Sequence, residues 1–180
     1  MVHLTSSKSR RNAKDVALDC LSRRALTYCE LETRLKEKGY ESSEISTVLE
    51  KLLEWGYLND EELAFMYSKS RLKRYSRRRV QQDMQNRGLV PQLIEQALGE
   101  NYSSNDEFEQ CLTLAERWWV QEGKRWEHKN AIENTKKMIP RELWVQQKIA
   151  RKLIQRGYPT DMVRNVLSQI KINQSEDVEI

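Results

Sequence analysis

The side chains whose type and spacing could do chemistry are cations. Lys69, Arg71, Lys73, Arg74, Arg77, Arg78, Arg79 and Arg87 fall in one window that contains a single acid, Asp83. The whole chain carries 31 Lys and Arg against 27 Asp and Glu, a formal net charge of +4, so this surplus is local. Like charges held so close repel unless a polyanion or an acidic surface compensates them, although a run of charge is also what a solvated helix face looks like. Smaller basic groups recur on either side: Arg23 and Arg24 with Arg34, then Lys148, Arg151 and Lys152. The chemistry these residues offer is recognition of anions. Nucleic-acid phosphates or acidic protein surface would both satisfy it.

Covalent or acid–base chemistry would need a nucleophile with a base, a metal cluster or a phosphate-cradling glycine loop. The two histidines, His3 and His128, lie far apart in the sequence, and no His-x-x-x-His, Cys-x-x-Cys or Gly-x-x-x-x-Gly-Lys-Ser/Thr motif occurs. Acids such as Glu30, Asp60, Glu61, Glu62, Asp106 and Glu107 stand at expected helix starts, where capping and the helix dipole account for them. Of the three cysteines, Cys20 and Cys111 occupy apolar-stripe positions and read as small core hydrophobes. No enzymatic activity, cofactor or metal is expected.

The elements that must position the cations form a repeat. Gly39, Gly88 and Gly157 each follow a base (Lys38, Arg87, Arg156) and precede an apolar residue (Tyr40, Leu89, Tyr158). Eight residues before the glycines stand Leu31, Val80 and Ile149, and four before stand Leu35, Met84 and Leu153. Six after stand Ile45, Ile94 and Val163, and ten after stand Leu49, Leu98 and Leu167. Positions four apart on two successive helices face one core, and the glycine reverses the chain between them. A further amphipathic helix precedes each pair, at about Ala13–Leu26, Glu61–Lys73 and Phe108–Val120. The glycine spacing is 49 residues from Gly39 to Gly88 and 69 from Gly88 to Gly157, so the third unit carries an insertion, placed near 126–139.

The expected architecture is all-α: three tandem three-helix repeats forming an elongated curved rod. A basic tail (1–12) is followed by repeats at 13–55, 56–99 and 104–171 and an acidic, frayed tail at 172–180. The charged fraction of 32% suits thin repeats that expose much of their surface. Thr27-Tyr28-Cys29-Glu30 reads as a capping box, and Asn59 with Glu62 as another helix start; Gly56 and Gly99 read as helix stops, with a polar linker at 100–103. The adjacent Trp118 and Trp119 are not expected both to face inward, leaving one as a candidate contact. Trp119 and Trp144 are assigned to packing of the third repeat. With no apolar leader at the start and no window long enough to span a bilayer, a cytoplasmic monomer is expected, with no membrane partner.

The sequence from Gly56 to Glu61 (Gly-Tyr-Leu-Asn-Asp-Glu), then Ser70-Arg71-Leu72-Lys73-Arg74, then Arg79–Met84 and Arg87-Gly88-Leu89, resembles the hallmark of the bacterial RecX regulators. Leu31–Tyr40 resembles the opening repeat of the same family, and the resemblance covers about Asp15 to Ile170. Where the family usually has a glycine, often followed by proline, between the first two helices of the middle repeat, this chain has Ser76-Arg77; Met84 replaces the usual leucine. The resemblance implies a non-enzymatic modulator of the RecA recombinase. It would lie in the groove of the RecA–DNA filament, touch successive RecA protomers and inhibit filament growth, ATP hydrolysis and strand exchange. Contact with single-stranded or duplex DNA would be weak on its own. The alternative is a stand-alone nucleic-acid-binding protein of helix-turn-helix type that does not act through RecA.

Overall fold

The computed structural model describes residues 11–102, 104–133 and 139–176. Among them the chain forms nine helices and no strand: α1 (Ala13–Arg23), α2 (Tyr28–Glu37), α3 (Ser42–Glu54), α4 (Asp60–Arg71), α5 (Arg77–Asn86), α6 (Pro91–Asn101), α7 (Ser104–Glu133), α8 (Arg141–Gln155) and α9 (Thr160–Glu176). Each successive trio encloses its own apolar core. The repeated positions are its centre. Leu31, Val80 and Ile149 are fully buried, as are Leu35, Met84 and Leu153. A buried aliphatic side chain of this size contributes roughly 1.5–3 kcal/mol, so the six hold the units' shape.

The turn after each central helix is set by its glycine. Gly39, Gly88 and Gly157 have φ of 80°, 77° and 89°, the left-handed region that disfavours other residues. In each turn the glycine amide donates to the carbonyl three residues back and the next amide reaches the carbonyl five back, as in Tyr40 N–H to Leu35 O at 3.2 Å and Tyr158 N–H to Leu153 O at 3.2 Å. This double bond pattern places the apolar residue after the glycine on the core, and Tyr40, Leu89 and Tyr158 are all buried.

Several local expectations are corrected. Gly99 does not end its helix; α6 continues to Asn101. Asn101 stands where the other units bury Leu52 and Ile170, and its amide donates to Ser68 Oγ at 2.9 Å and Ala97 O at 2.9 Å, so a polar group closes this core without being left unsatisfied. In the third unit Val166 is fully buried while Leu167 is only partly so. The longest helix, α7, spans 30 residues against 11 for α1 and 12 for α4, so the extra length of this unit prolongs its first helix, by the rise of an α-helix to about 45 Å. Residues 134–138 of the expected insertion lie outside the described residues. Trp118 and Trp119 are both buried, at 5% and 4% exposure. Both belong to the core of the third unit, against the expectation that one would face solvent, and Trp118 is covered by Lys152 of α8 at 5.2 Å and by Arg156, just beyond that helix, at 4.3 Å from its ring. At the chain's start, Asn12 caps α1 by accepting from Lys14 N–H, and Tyr40 Oη donates to Arg11 O at 2.6 Å. α9 runs through Asn173 as far as Glu176, into the stretch expected to fray.

Candidate functional site

The predicted cations divide by what already engages them. Arg87 is turned inward, with only 16% of its side chain exposed. Its Nε and Nη2 meet Glu30 at 3.1 and 2.8 Å, Nη2 also donates to Ala25 O at 3.1 Å, and the guanidinium lies 5.2 Å from the Tyr67 ring. Arg77 is half-buried at the start of α5; its Nη1 donates to Leu98 O and its Nη2 lies 3.6 Å from Glu95. Arg79 pairs with Asp83 along the same helix, Arg23 with Asp19, and Arg24 with Glu30. Lys69 lies over Phe65, Arg71 over both Tyr67 and Tyr75, and Lys148 over Trp144. Lys152 pairs with the buried Glu122. That leaves Lys73, Arg74 and Arg78, exposed at the corner between α4 and α5, with the exposed Arg151 and the half-buried Arg34, none of which makes an ion pair with a described residue.

The corner is positioned by two junctions between units, which sequence reasoning missed. At the first, the buried Thr27 caps α2 by accepting from Glu30 N–H and donates its own hydroxyl to Arg87 O at 2.6 Å. Asp60 reaches the same place, accepting from Tyr28 N–H at 2.9 Å. At the second, the buried Ser76 caps α5 by accepting from Arg79 N–H and donates its backbone N–H to Arg156 O at 3.0 Å. Close approach needs the glycines: a Cβ on Gly88 would lie 2.5 Å from Cys29 Cβ, and one on Gly157 would lie 2.5 Å from Ser76 Oγ. In the first two units, the start of the second helix thus rests on the glycine turn of the next unit's second helix. The signal was present in the sequence, because Thr27 and Ser76 are 49 residues apart, the same interval as Gly39 to Gly88.

The electrostatics of these junctions follow from burial and pairing. Burial alone would raise the Glu30 carboxyl, but the Arg87 hydrogen bond, the Thr27 amide and the Arg87 and Arg24 charges together hold it below the ordinary glutamate value. Asp60 is raised, because burial outweighs the Tyr28 amide and the Arg87 charge. Glu122 resists its burial in the same way as Glu30, held low by Lys152 and Arg125. Burial pushes the Cys111 thiol up to about 12, assisted by the Glu107 charge, so this cysteine is a core residue and no nucleophile. Among the described residues no group of three His, Cys, Asp or Glu is arranged to hold a metal ion, and no helix is long and apolar enough to cross a membrane.

Family models match the first two units: residues 13–52 match the first three-helix domain of RecX, and residues 59–98 the second. The chain belongs to the RecX family. Among its RecX relatives, the regulatory protein RecX of Listeria welshimeri is 28% identical over 156 residues, covering 86% of this chain and 52% of that protein. The regulatory protein RecX of Caldanaerobacter subterraneus is 32% identical over 108 residues, covering 59% of this chain and 55% of the relative. The chain therefore spans about half the length of these curated relatives. The crystal structure of RecX from Lactobacillus salivarius superposes with a TM-score of 0.63 at 22% identity, covering 89% of this chain and 95% of that one, and so shares the RecX fold.

Proposed function

We propose that the chain is a non-enzymatic regulator of the RecA recombinase. It binds in the groove of the RecA–DNA filament and inhibits filament growth, ATP hydrolysis and strand exchange, and so modulates recombination, DNA repair and the SOS response in the cytoplasm. The match of both opening units to RecX domains is the observation that carries this reading. Supporting it, Lys73, Arg74 and Arg78 are exposed and unpaired among the described residues, on a corner whose fold is maintained by other cations.

The test is the rate of ATP hydrolysis by RecA on single-stranded DNA with the protein added at a small fraction of the RecA concentration. A steep substoichiometric fall is expected. Replacing Lys73, Arg74 and Arg78 together by Ala should raise the concentration for half-inhibition about tenfold or more, since each exposed charge contact is worth up to ~1 kcal/mol. Absence of any fall near equal concentration would rule out action through RecA.

A further inference from the structure

The two junctions share a plan but differ in one residue type. At the first, Arg87 turns back onto Glu30, three residues after Thr27. At the second, the position three after Ser76 is Arg79, and that side chain turns along its own helix to Asp83. Arg156, the counterpart of Arg87, therefore meets no carboxylate. Its Nη1 is buried with no hydrogen-bond partner, and its guanidinium is stacked 4.3 Å from the Trp118 ring and 5.9 Å from that of Tyr75. The cations acting on it are Arg117 and Arg74, both exposed and without an ion pair to a described residue. A cleft of about 290 Å³ opens here, lined by Tyr75, Trp118, Lys152, Gln155 and Arg156.

A buried guanidinium donor without an acceptor costs stability, and the charges of Arg117 and Arg74 add to that cost, unless an anion completes the arrangement. We propose that this cleft binds a phosphodiester group of single-stranded nucleic acid, with Arg156 as its direct partner, the charges of Arg74 and Arg117 drawing in the neighbouring backbone, and the Tyr75 ring, which Arg71 and Arg156 already border, forming the aromatic wall. A single carboxylate from a protein would satisfy Arg156 but leave the other two arginines uncompensated. A strand carries successive phosphates and bases that use both the charges and the aromatic wall. The inference concerns the chain's own contact with nucleic acid and stands whether or not RecA is the partner.

Fluorescence anisotropy of a labelled oligo(dT) strand, titrated with the full chain at two salt concentrations, tests this. Arg79→Glu supplies at the second junction the carboxylate that the first has; the Arg79 stem already lies against Gly157, with its Cβ 2.7 Å from where a glycine Cβ would be. Arg79→Glu should weaken binding at least tenfold and raise the melting temperature, as Arg156 gains an internal partner. Arg164→Glu, an equal change of charge at an exposed arginine of α9 that lines no part of the cleft, should weaken it no more than threefold. Equal losses for the two variants would reduce the effect to net charge and overturn the site. So would the absence of oligo(dT) binding by the parent chain, or displacement of the strand by polyglutamate at lower charge concentration than by unlabelled oligo(dT).

Discussion

The Glu30–Arg87 pair allows a quantitative test of how the units are joined. The contact is bidentate, at 3.1 and 2.8 Å, and the two side chains are 19% and 16% exposed. An exposed pair is worth up to ~1 kcal/mol, while removing one member of a fully buried pair costs ~3–5 kcal/mol. Shielding of about four-fifths places the coupling at roughly 1–2 kcal/mol. Glu30→Gln, Arg87→Met and the double variant form the cycle, followed by urea unfolding monitored by far-ultraviolet circular dichroism at pH 7. Arg87→Met should cost more than Glu30→Gln, because it also forfeits the Ala25 carbonyl and the Tyr67 ring. In a serial array the interface energy also sets cooperativity, so the single variants should broaden the transition as the first unit melts ahead of the others. The pH dependence has a definite sign. Because the folded Glu30 value lies below the ordinary 4.5, the pair's contribution is complete above pH 4.5 and is lost as pH falls through the lower, folded value. The gap between parent and Glu30→Gln should therefore close in acid. A coupling under ~0.3 kcal/mol, or a gap that widens as pH falls, would refute the account of this junction.

Other expectations follow from neighbouring residues. Gly56→Ala incurs the left-handed backbone cost of about 1–2 kcal/mol alone, since nothing lies within 4 Å of its Cβ position, whereas Gly88→Ala adds a clash with Cys29 and should lower the melting temperature distinctly more. Thr27→Val removes a helix cap and the hydroxyl donor to Arg87 O, for about 2 kcal/mol by chemical denaturation, while Asn59→Ala removes a cap alone, for about 1 kcal/mol. Asp60→Asn should be neutral or stabilising at pH 7 and show the opposite trend to Glu30→Gln. The raised carboxyl favours folding while protonated, and that contribution falls as pH rises from 3.8 through the folded value. Ellman's reagent at pH 8 should modify the exposed Cys29 quickly in the folded chain and leave Cys111 untouched until denaturant is added.

The fold was legible because its rules are local and periodic. Four-residue spacing on either side of a glycine identified Leu31, Leu35, Ile45 and Leu49 as one core, and the same offsets located the other two. The misplaced boundaries have local causes too. Gly99 reads as a stop, but a glycine ends a helix only where the chain takes positive φ, and Asn101 instead anchors another half-turn through Ser68 and Ala97. Trp118 and Trp119 were expected to divide between core and solvent because helical direction gives them different faces. Whether a face is wet depends on a distant helix, and here the Arg156 and Lys152 side chains lie over it. The same limit applied to the cations: composition found the basic window, but only the fold distinguishes Arg77 and Arg87, occupied internally, from Lys73, Arg74 and Arg78.

This division explains why one basic position can do two things in a single chain. The residue before the turn glycine projects toward the preceding unit wherever two units meet, because the turn itself packs on that unit's helix start. What it does there is decided by one residue three positions into the facing helix. With Glu30 opposite, Arg87 becomes a joint, shielded from solvent and neutralised. With Arg79 opposite, Arg156 keeps the same stacked, half-buried pose and retains an unsatisfied donor. A shielded donor without its acceptor is a standing cost that an apolar residue at that place would avoid. Retaining an arginine there is therefore physically reasonable if an outside anion completes the pair, and conversion of position 79 to an acid should turn the second junction into a copy of the first.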